Sequence, residues 1–531
     1  MRKKSGRKKR HPLIQSLMNP QIYDHPVKQC RLIETHISWV ILTGTYAYKL
    51  KKPLNLGFLD FSTLSWRQFY CEEELRLNRR LASNLYLSVE SITGSIAHPQ
   101  WNGPGEPIEY AVKMAEFSQN AQMDRMLAKG RLKSRHIDAL AQMVSDFHQQ
   151  ATVADSDQVY GNAEQAQKPV MDNFSLIRKQ IACPGDLGLL DELEHWTQSI
   201  IQELIPVFAR RKADSRIREC HGDLHLKNLA WLDHAPVAFD CIEFNPNLRW
   251  IDVINDAAFL VMDLLDRARP DLAWRFLNRY LETGGDYDGV SILKFYIVYR
   301  ALVRAKIHAI RMGQPGISST DQILAERACH DYLCLACKTI QPSTPALIIT
   351  HGPSASGKST LTQPLLEQLG AIRIRSDVER KRIHGIDPSQ SAGASQGQGI
   401  YSDKATRRTF NHLAKLASLI LDAGYPVIVD AAFLDRHHRK QFEKLAVEKR
   451  ATYIILDFKA SPNELRRRIA ERTGDVSDAD LNILENQLMD WRPVSDTELS
   501  HVIVIDTETA FNPVRIAKQI TARSVRIQEY F

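Results

Sequence analysis

The sequence predicts two different folds in one chain of 531 residues: an α+β domain, then an α/β domain with a parallel sheet. Three observations carry this expectation. Before residue 336, strand-like segments come first and helical segments dominate later, the order of an α+β domain. After residue 345, the short, nearly all-apolar segments ALIIT (346–350), YPVIVD (425–430), TYIILDF (452–458) and HVIVID (501–506) alternate with helical stretches. Strands of a parallel sheet covered on both faces read this way. Between the two lies KTIQPSTP (338–345), a polar, proline-containing break. The length is also too great for one hydrophobic core. The expected organisation is a basic disordered tail (1–12), a first domain (13–335), a linker (336–345) and a second domain (346–531).

The elements follow in order. MRKKSGRKKR holds seven basic side chains and no apolar stretch, so it reads as a solvated arm. HISWVILTG (36–44) and TYAYKLKK (45–52) alternate like two strands paired around a turn at Gly44. LSWRQFYCEEELRLNRRLA (64–82) has helical periodicity, and IEYAVKMAEF (108–117) is strand-like. Helices are expected from about 120 to 335, interrupted around 220–245. There LAWLDHAPVAFD (229–240) reads as a hairpin turning at Asp233–Pro236. SQSAGASQGQG (389–399) reads as a loop.

Composition narrows the function classes. Apolar content of 44% and charged content of 25% are those of a soluble globular protein. No run is long and apolar enough for a membrane span, and no secretory signal is read, so a cytoplasmic location is expected. Eight cysteines are too few for a disulfide scaffold. Cys329, Cys334 and Cys337 have the spacing of part of an iron–sulfur ligand run, but no fourth cysteine follows, and buried small hydrophobes on a helix are the better reading.

The segment Gly352, Pro353, Ser354, Ala355, Ser356, Gly357, Lys358, Ser359, Thr360 satisfies G-x-x-x-x-G-K-[ST] between a strand and a helix. Glycines let backbone N–H groups turn inward around phosphate oxygens, and the helix N-terminus favours anions. Lys358 is expected on the β- and γ-phosphates of ATP, and the Ser359 hydroxyl on Mg²⁺. IRIRSDVERKR (372–382) puts Asp377 just beyond the end of an apolar segment, where it is placed to take an acceptor hydroxyl's proton. Arg375 and Arg380 flank it as holders of an anionic substrate group. Asp430 ends an apolar strand, the place of a second metal ligand. In LRRRIAERTGD (465–475), Arg468 and Arg472 are expected in a lid over the phosphates. Residues of about 343–510 resemble the small P-loop kinases, including zeta-toxin-like, gluconate-kinase-like and polynucleotide-kinase-like proteins. The resemblance implies a P-loop NTPase fold and kinase activity.

HGDLHLKN (221–228) is a second phosphate-handling signature. Asp223 and Asn228 have the spacing of the protein-kinase H-R-D-x-x-x-x-N loop, with Gly222 in place of the arginine. Asp223 is the candidate base, braced by His221, and Asn228 a candidate Mg²⁺ ligand. The hairpin that follows folds back and brings Asp240 beside Asn228 as a second metal ligand. Glu243 lies close by. Upstream, Ala47-Tyr48-Lys49 gives the Ala-x-Lys of a kinase strand, with Lys49 on the α/β-phosphates and Lys51 and Lys52 as alternatives. Glu74 is its expected partner among Glu72, Glu73 and Glu74, because it shares a helical face with Cys71, Leu77 and Leu81. No glycine-rich loop precedes Lys49, and only Gly44 lies in the preceding turn.

His221, Asp223, His225, Asn228 and Asp240 resemble the H-G-D-x-H-x-x-N pattern of the aminoglycoside-phosphotransferase-like family over roughly residues 30–330. RWIDVINDAAFLVMDL (249–264) is similar to that family's following helix, with Asp252 as its structural aspartate. The resemblance implies a protein-kinase-like bilobal domain, with a small lobe of about 30–118 and a large lobe of about 119–335.

The expected function is therefore a bifunctional phosphotransferase, moving the γ-phosphate of ATP, with Mg²⁺, to small-molecule hydroxyl groups at two sites. Two alternatives come from other classes. In one, the P-loop half phosphorylates a polynucleotide 5′-hydroxyl and the basic tail docks the strand. In the other, the first half is a pseudokinase that regulates its neighbour.

Overall fold

The computed structural model describes residues 11–528, except 58, 156, 315, 343–344, 388–389, 391–398, 472–479 and 490, and the side chains of 525–528. The first ten residues of the basic tail, most of the 389–399 loop and Arg472 lie outside the described residues. The chain divides into two compact units: Met1–Ala139, Gln150–Gly161 and Lys212–Asp256 form the first, and Leu140–Gln149, Asn162–Arg211 and Ala257–Phe531 the second.

The first unit is built on an antiparallel sheet. Its strands are β1 (Arg31–Glu34), β2 (Ser38–Leu42), β3 (Tyr46–Lys51), β4 (Tyr86–Gly94), β5 (Pro99–Trp101) and β6 (Glu109–Ala115), in the order β1-β2-β3-β6-β4-β5. β2 and β3 pair with Val40 opposite Lys49, around the Gly44 turn. A helix spans Leu64–Ala82, begun by the Thr63 side chain accepting from the Trp66 N–H. Its periodicity buries Cys71, Glu74 and Leu77, and packing against β4 and β6 fixes which face turns inward. The remaining strands are β7 (Ile217–Glu219), paired with β10 (Trp250–Asp252), and β8 (Leu229–Leu232), paired with β9 (Ala235–Ala238). The β8–β9 turn places Asp233 and His234 at positive φ, the twist a two-residue hairpin requires.

The second unit carries the expected parallel sheet. β11 (Ala346–His351), β12 (Ile372–Arg375), β13 (Val427–Asp430), β14 (Thr452–Lys459) and β15 (Val502–Asp506) run in the order β12-β13-β11-β14-β15. Every pairing is parallel. Leu347, Ile348, Ile349, Ile428 and Ile454 are fully buried, which is why these strands read as unbroken apolar runs. The helix Lys358–Leu369 follows β11 and keeps Pro364 inside it. This unit also holds the helices Pro270–Gly284, Val290–Met312 and Ser319–Ile340, and the 336–345 segment lies within it. On the last of these helices Cys329 and Cys337 are buried and Cys334 is exposed. No helix among the described residues is long and apolar enough to cross a membrane. An α+β architecture followed by a parallel α/β sheet is the fold class the sequence predicts.

Candidate active sites

In the first unit, β3 presents Lys49 toward the 64–82 helix and the end of the β8–β9 hairpin. Its Nζ donates to Glu74 Oε1 at 2.7 Å and to Asp240 Oδ1 at 2.5 Å. Two residues along the same strand, Lys51 donates to Glu74 Oε2 at 2.8 Å and to Glu243. Two lysines and three carboxylates thus form one alternating charge network. Lys52 turns elsewhere, onto Glu34 at 2.7 Å and the Thr35 carbonyl at 2.6 Å. It pins the β1–β2 turn, which contains no glycine and closes with Thr35 N–H donating to the Ser38 carbonyl at 2.9 Å.

Burial opposes the charge on Lys49, but Asp240 and Glu74 outweigh it and hold the ammonium above the ordinary lysine value. Burial likewise opposes the Glu74 carboxylate, and Lys49 and Lys51 overcome it, holding its pKa well below the usual 4.5. Such a depressed carboxyl stabilises the fold above its unfolded pKa and loses that contribution as pH falls through the folded value. Glu74→Gln is therefore expected to lower the unfolding temperature most near neutral pH. The gap to the native chain should narrow below pH 4.5, as thermal scans across pH would show. An equal gap at every pH would contradict the charge assignment.

The HGDLHLKN loop is held from below. The Asp256 carboxylate accepts the backbone N–H groups of His221 and Gly222, each at 2.9 Å. Asp252 accepts from the Ile254 N–H at 2.9 Å instead, capping the helix Val253–Asp266. His221 is wholly buried. Its Nδ1 accepts from the Asp223 N–H at 3.2 Å and its Nε2 faces the Phe239 carbonyl at 3.0 Å. That network assigns the neutral Nε2–H tautomer, and burial pushes the imidazole's pKa down. Asn228 Nδ2 donates to Asp223 Oδ2 at 2.8 Å and to the Asp223 carbonyl at 3.0 Å. His225 Nε2 lies 3.4 Å from Asp223 Oδ2, whose side chain keeps 34% exposure. Asp240 sits at φ 65°, its N–H donating to the Tyr86 hydroxyl at 3.1 Å.

Gly222 has φ 85°, and a Cβ there would lie 2.6 Å from the Leu248 carbonyl oxygen. Gly222→Ala is expected to destabilise the loop by about 1–3 kcal/mol, read from denaturant unfolding. A wild-type midpoint would show that the loop has room to shift. Sequence reasoning did not find Asp256, the Lys51–Glu243 pair, or Glu219. The last accepts from Arg76 at 2.8 Å and Arg249 at 3.1 Å and ties the 64–82 helix to β7.

In the second unit, the P-loop runs from β11 into the helix Lys358–Leu369, with Gly352 at φ 148°, Ala355 at 62° and Gly357 at 87°. A Cβ on Gly352 would lie 2.8 Å from the Phe458 carbonyl oxygen, so the close approach requires glycine. Lys358 Nζ donates to the carbonyls of Gly352 (2.9 Å) and Pro353 (2.6 Å). Ser354 N–H donates to Gln487 Oε1 at 2.7 Å. Ser356 is buried, Ser359 half-buried and Thr360 exposed at the helix start. Asp430 ends β13 opposite Arg375 of β12, and its buried Oδ2 has no hydrogen-bond partner. Arg375 Nε lies 3.8 Å from it. Asp377 is half-buried in the first turn of the helix Ser376–Ile383.

The arginines are more engaged than their sequence context implied. Arg375 pairs with Glu282 at 3.2 Å. Arg380 donates to the Ile400 carbonyl at 2.8 Å and lies over the Tyr401 ring, and burial pulls its pKa down. Arg468 donates to Thr507 Oγ1 and to the Thr507 carbonyl, both at 2.9 Å, and to the Ala355 carbonyl at 3.4 Å, so it braces the P-loop from outside.

An AAA-domain family model matches residues 347–494. Among solved structures, amicoumacin kinase hAmiN in complex with AMP-PNP, Ca²⁺ and Ami is 14% identical, covering 61% of this chain and 92% of its own, with a TM-score of 0.38. A gluconokinase from Sinorhizobium meliloti 1021 is 20% identical, covering 35% of this chain and 96% of its own, with a TM-score of 0.25. Uncharacterized protein Rv2004c of Mycobacterium tuberculosis (strain ATCC 25618 / H37Rv) is 30% identical over 473 residues, 88% of this chain and 92% of its own length. Uncharacterized protein Mb2027c of Mycobacterium bovis matches to the same extent. The chain belongs to the family of these mycobacterial proteins, and its residues 347–494 match the AAA-domain model.

Proposed function

We propose that the chain is an ATP-dependent phosphotransferase with two separate sites, each moving a γ-phosphoryl group to the hydroxyl of a small molecule. The observation that carries this reading is Lys49 held between Glu74 and Asp240, beside an Asp223–Asn228 pair. Phosphoryl transfer needs a cation on the nucleotide, a carboxylate at the acceptor hydroxyl and metal-binding oxygens, all in one place. In the first unit Lys49 takes the phosphates and Asp223 orients the hydroxyl and accepts its proton, while neutral His221 holds the loop. In the second, the 352–360 backbone and Lys358 cradle the phosphates and Asp377 serves the acceptor, with Arg375 and Arg380 for its anionic group and Arg468 beside the phosphate loop. We assign the first activity to the 13–335 segment and the second to 346–531.

The residues present fit a divalent cation. Asp430 Oδ2 is a buried carboxylate oxygen without a hydrogen bond, which is costly unless a cation approaches. Asn228 and Asp240 in the first site, and Ser359 and Asp430 in the second, would hold Mg²⁺, which neutralises phosphate charge when bound.

The test is the number of nucleotide sites. Calorimetric titration with Mg²⁺ and a non-hydrolysable ATP analogue is expected to find two per chain, with one lost in Lys49→Ala and the other in Lys358→Ala. A native chain with a single site, unchanged in Lys49→Ala, would remove the first activity. One observation favours a second reading, in which the first unit binds nucleotide without turnover: the β1–β2 turn is short, free of glycine and pinned by Lys52.

A further inference from the structure

β12 is the outermost strand of the parallel sheet, and an edge strand leaves a row of backbone donors and acceptors unpaired. Here the helix Pro270–Gly284 and the turn after it take the place of a neighbouring strand. Asn278 Oδ1 accepts from the Arg373 N–H at 2.7 Å, and its Nδ2 donates to the Ala371 carbonyl at 2.9 Å. The Tyr287 hydroxyl donates to the Arg373 carbonyl at 3.3 Å. Trp274 packs on the turn before the strand, where a Cβ on Gly370 would lie 3.0 Å from its ring. Arg275 pairs with Glu367 on the P-loop helix at 2.9 Å.

The same helix sends one carboxylate toward the chemistry. Glu282 is 8% exposed and faces Arg375 at 3.2 Å and Arg373 at 3.7 Å, with Arg279 of its own helix also at 3.7 Å. Arg375 is the residue that approaches Asp430. Arg373 is buried and reaches the first turn of the P-loop helix, donating to the Ser359 carbonyl at 2.9 Å, Thr362 Oγ1 at 3.1 Å and Gln363 Oε1 at 2.9 Å. Glu282 therefore stands between the strand end that carries Arg375 and the helix start that carries Ser359. Burial works against the charge on Arg373, and Glu282 is the first charge that offsets it.

We propose that Glu282 is a positioning residue of the P-loop site, and that this site is a composite of the 346–531 segment and the helix Pro270–Gly284 that precedes it. The proposal rests on the reading of the P-loop site as a phosphotransferase. Glu282 touches neither nucleotide nor acceptor. It fixes where Arg373 and Arg375 stand, and through them Ser359 and Asp430. The phosphate-binding backbone and Lys358 do not depend on it, so its loss should fall on turnover and spare nucleotide affinity.

The test uses the full chain carrying Asp223→Ala, which silences the first site, with Mg-ATP as the probe and ADP release as the readout. Glu282→Gln is expected to lower kcat about 10- to 100-fold, the usual cost of losing a group that orients a site, with KM for ATP within about twofold. Glu282→Asp keeps the charge and should recover part of the loss; it also serves if the glutamine variant does not fold. Arg375→Met combined with Glu282→Gln should be no slower than Arg375→Met alone by more than the Arg373 contribution, because one acts through the other. Wild-type kcat in a folded Glu282→Gln or Glu282→Asp chain would overturn the proposal, as would full additivity of the two substitutions. If the parent chain shows no ADP release that Lys358→Ala abolishes, the phosphotransferase reading of the P-loop site falls, a distinct outcome.

Discussion

Asp223→Ala is expected to lower phosphoryl transfer at the first site by about 10²- to 10⁴-fold, the contribution of a positioned acid–base group. Its carboxylate accepts from Asn228 at 2.8 Å and remains 34% exposed, so it is both oriented and reachable. Nucleotide affinity should change little, because the phosphates are assigned to Lys49. Asp223→Asn is the sharper variant: it keeps the shape and removes the proton acceptor. It should lose as much turnover as alanine if the carboxylate takes the proton, and retain much of it if Asp223 only holds Asn228. Single-turnover transfer with a radiolabelled phosphate donor separates the two.

Lys358→Ala is expected to remove nucleotide binding from the P-loop site and to lower its turnover by about 10²- to 10³-fold, comparable to deleting one preorganised donor from a transition-state site. Lys358 now donates to the carbonyls of Gly352 and Pro353 at the mouth of its own loop. Exchange of those contacts for phosphate oxygens costs little reorganisation. The first site should be untouched, since Lys49, Glu74, Asp223 and Asp240 belong to the other unit. Analogue titration of the variant checks this: it should retain one of two sites.

Much of the fold was legible because its signals are local. Strand and helix periods, the apolar parallel strands and the 229–240 hairpin depend on neighbouring residues alone. Glu74 could be nominated because a helix places residues three and four apart on one face, and burial of that face then selects among three adjacent glutamates. Partners distant in sequence were not legible. Asp256 braces the HGDLHLKN loop from the first turn of the helix that Asp252 caps, and sequence pattern gives no reason to choose it over Asp252. Arg375 and Arg380 read as free anion holders, because the groups that engage them, Glu282 and the Ile400 carbonyl, come from segments whose approach no local pattern announces. The same holds for Asn278, which completes the sheet edge from nearly a hundred residues away. Arg468 was nominated for the phosphates because an arginine-rich helix near a P-loop fits a lid, and its short bonds to Thr507 depend on the fold of β15 and the turn beyond it.

The central claim is that two independent phosphotransfer sites operate in one chain. Steady-state ADP release from Mg-ATP, measured on the native chain, Asp223→Ala, Lys358→Ala and the double variant across a panel of hydroxylated acceptors, tests it most directly. Two components are predicted, one lost with each single substitution and both lost in the double variant. Loss of all turnover in Lys358→Ala alone, with Asp223→Ala indistinguishable from native, would contradict the account and leave the P-loop site as the chain's one engine.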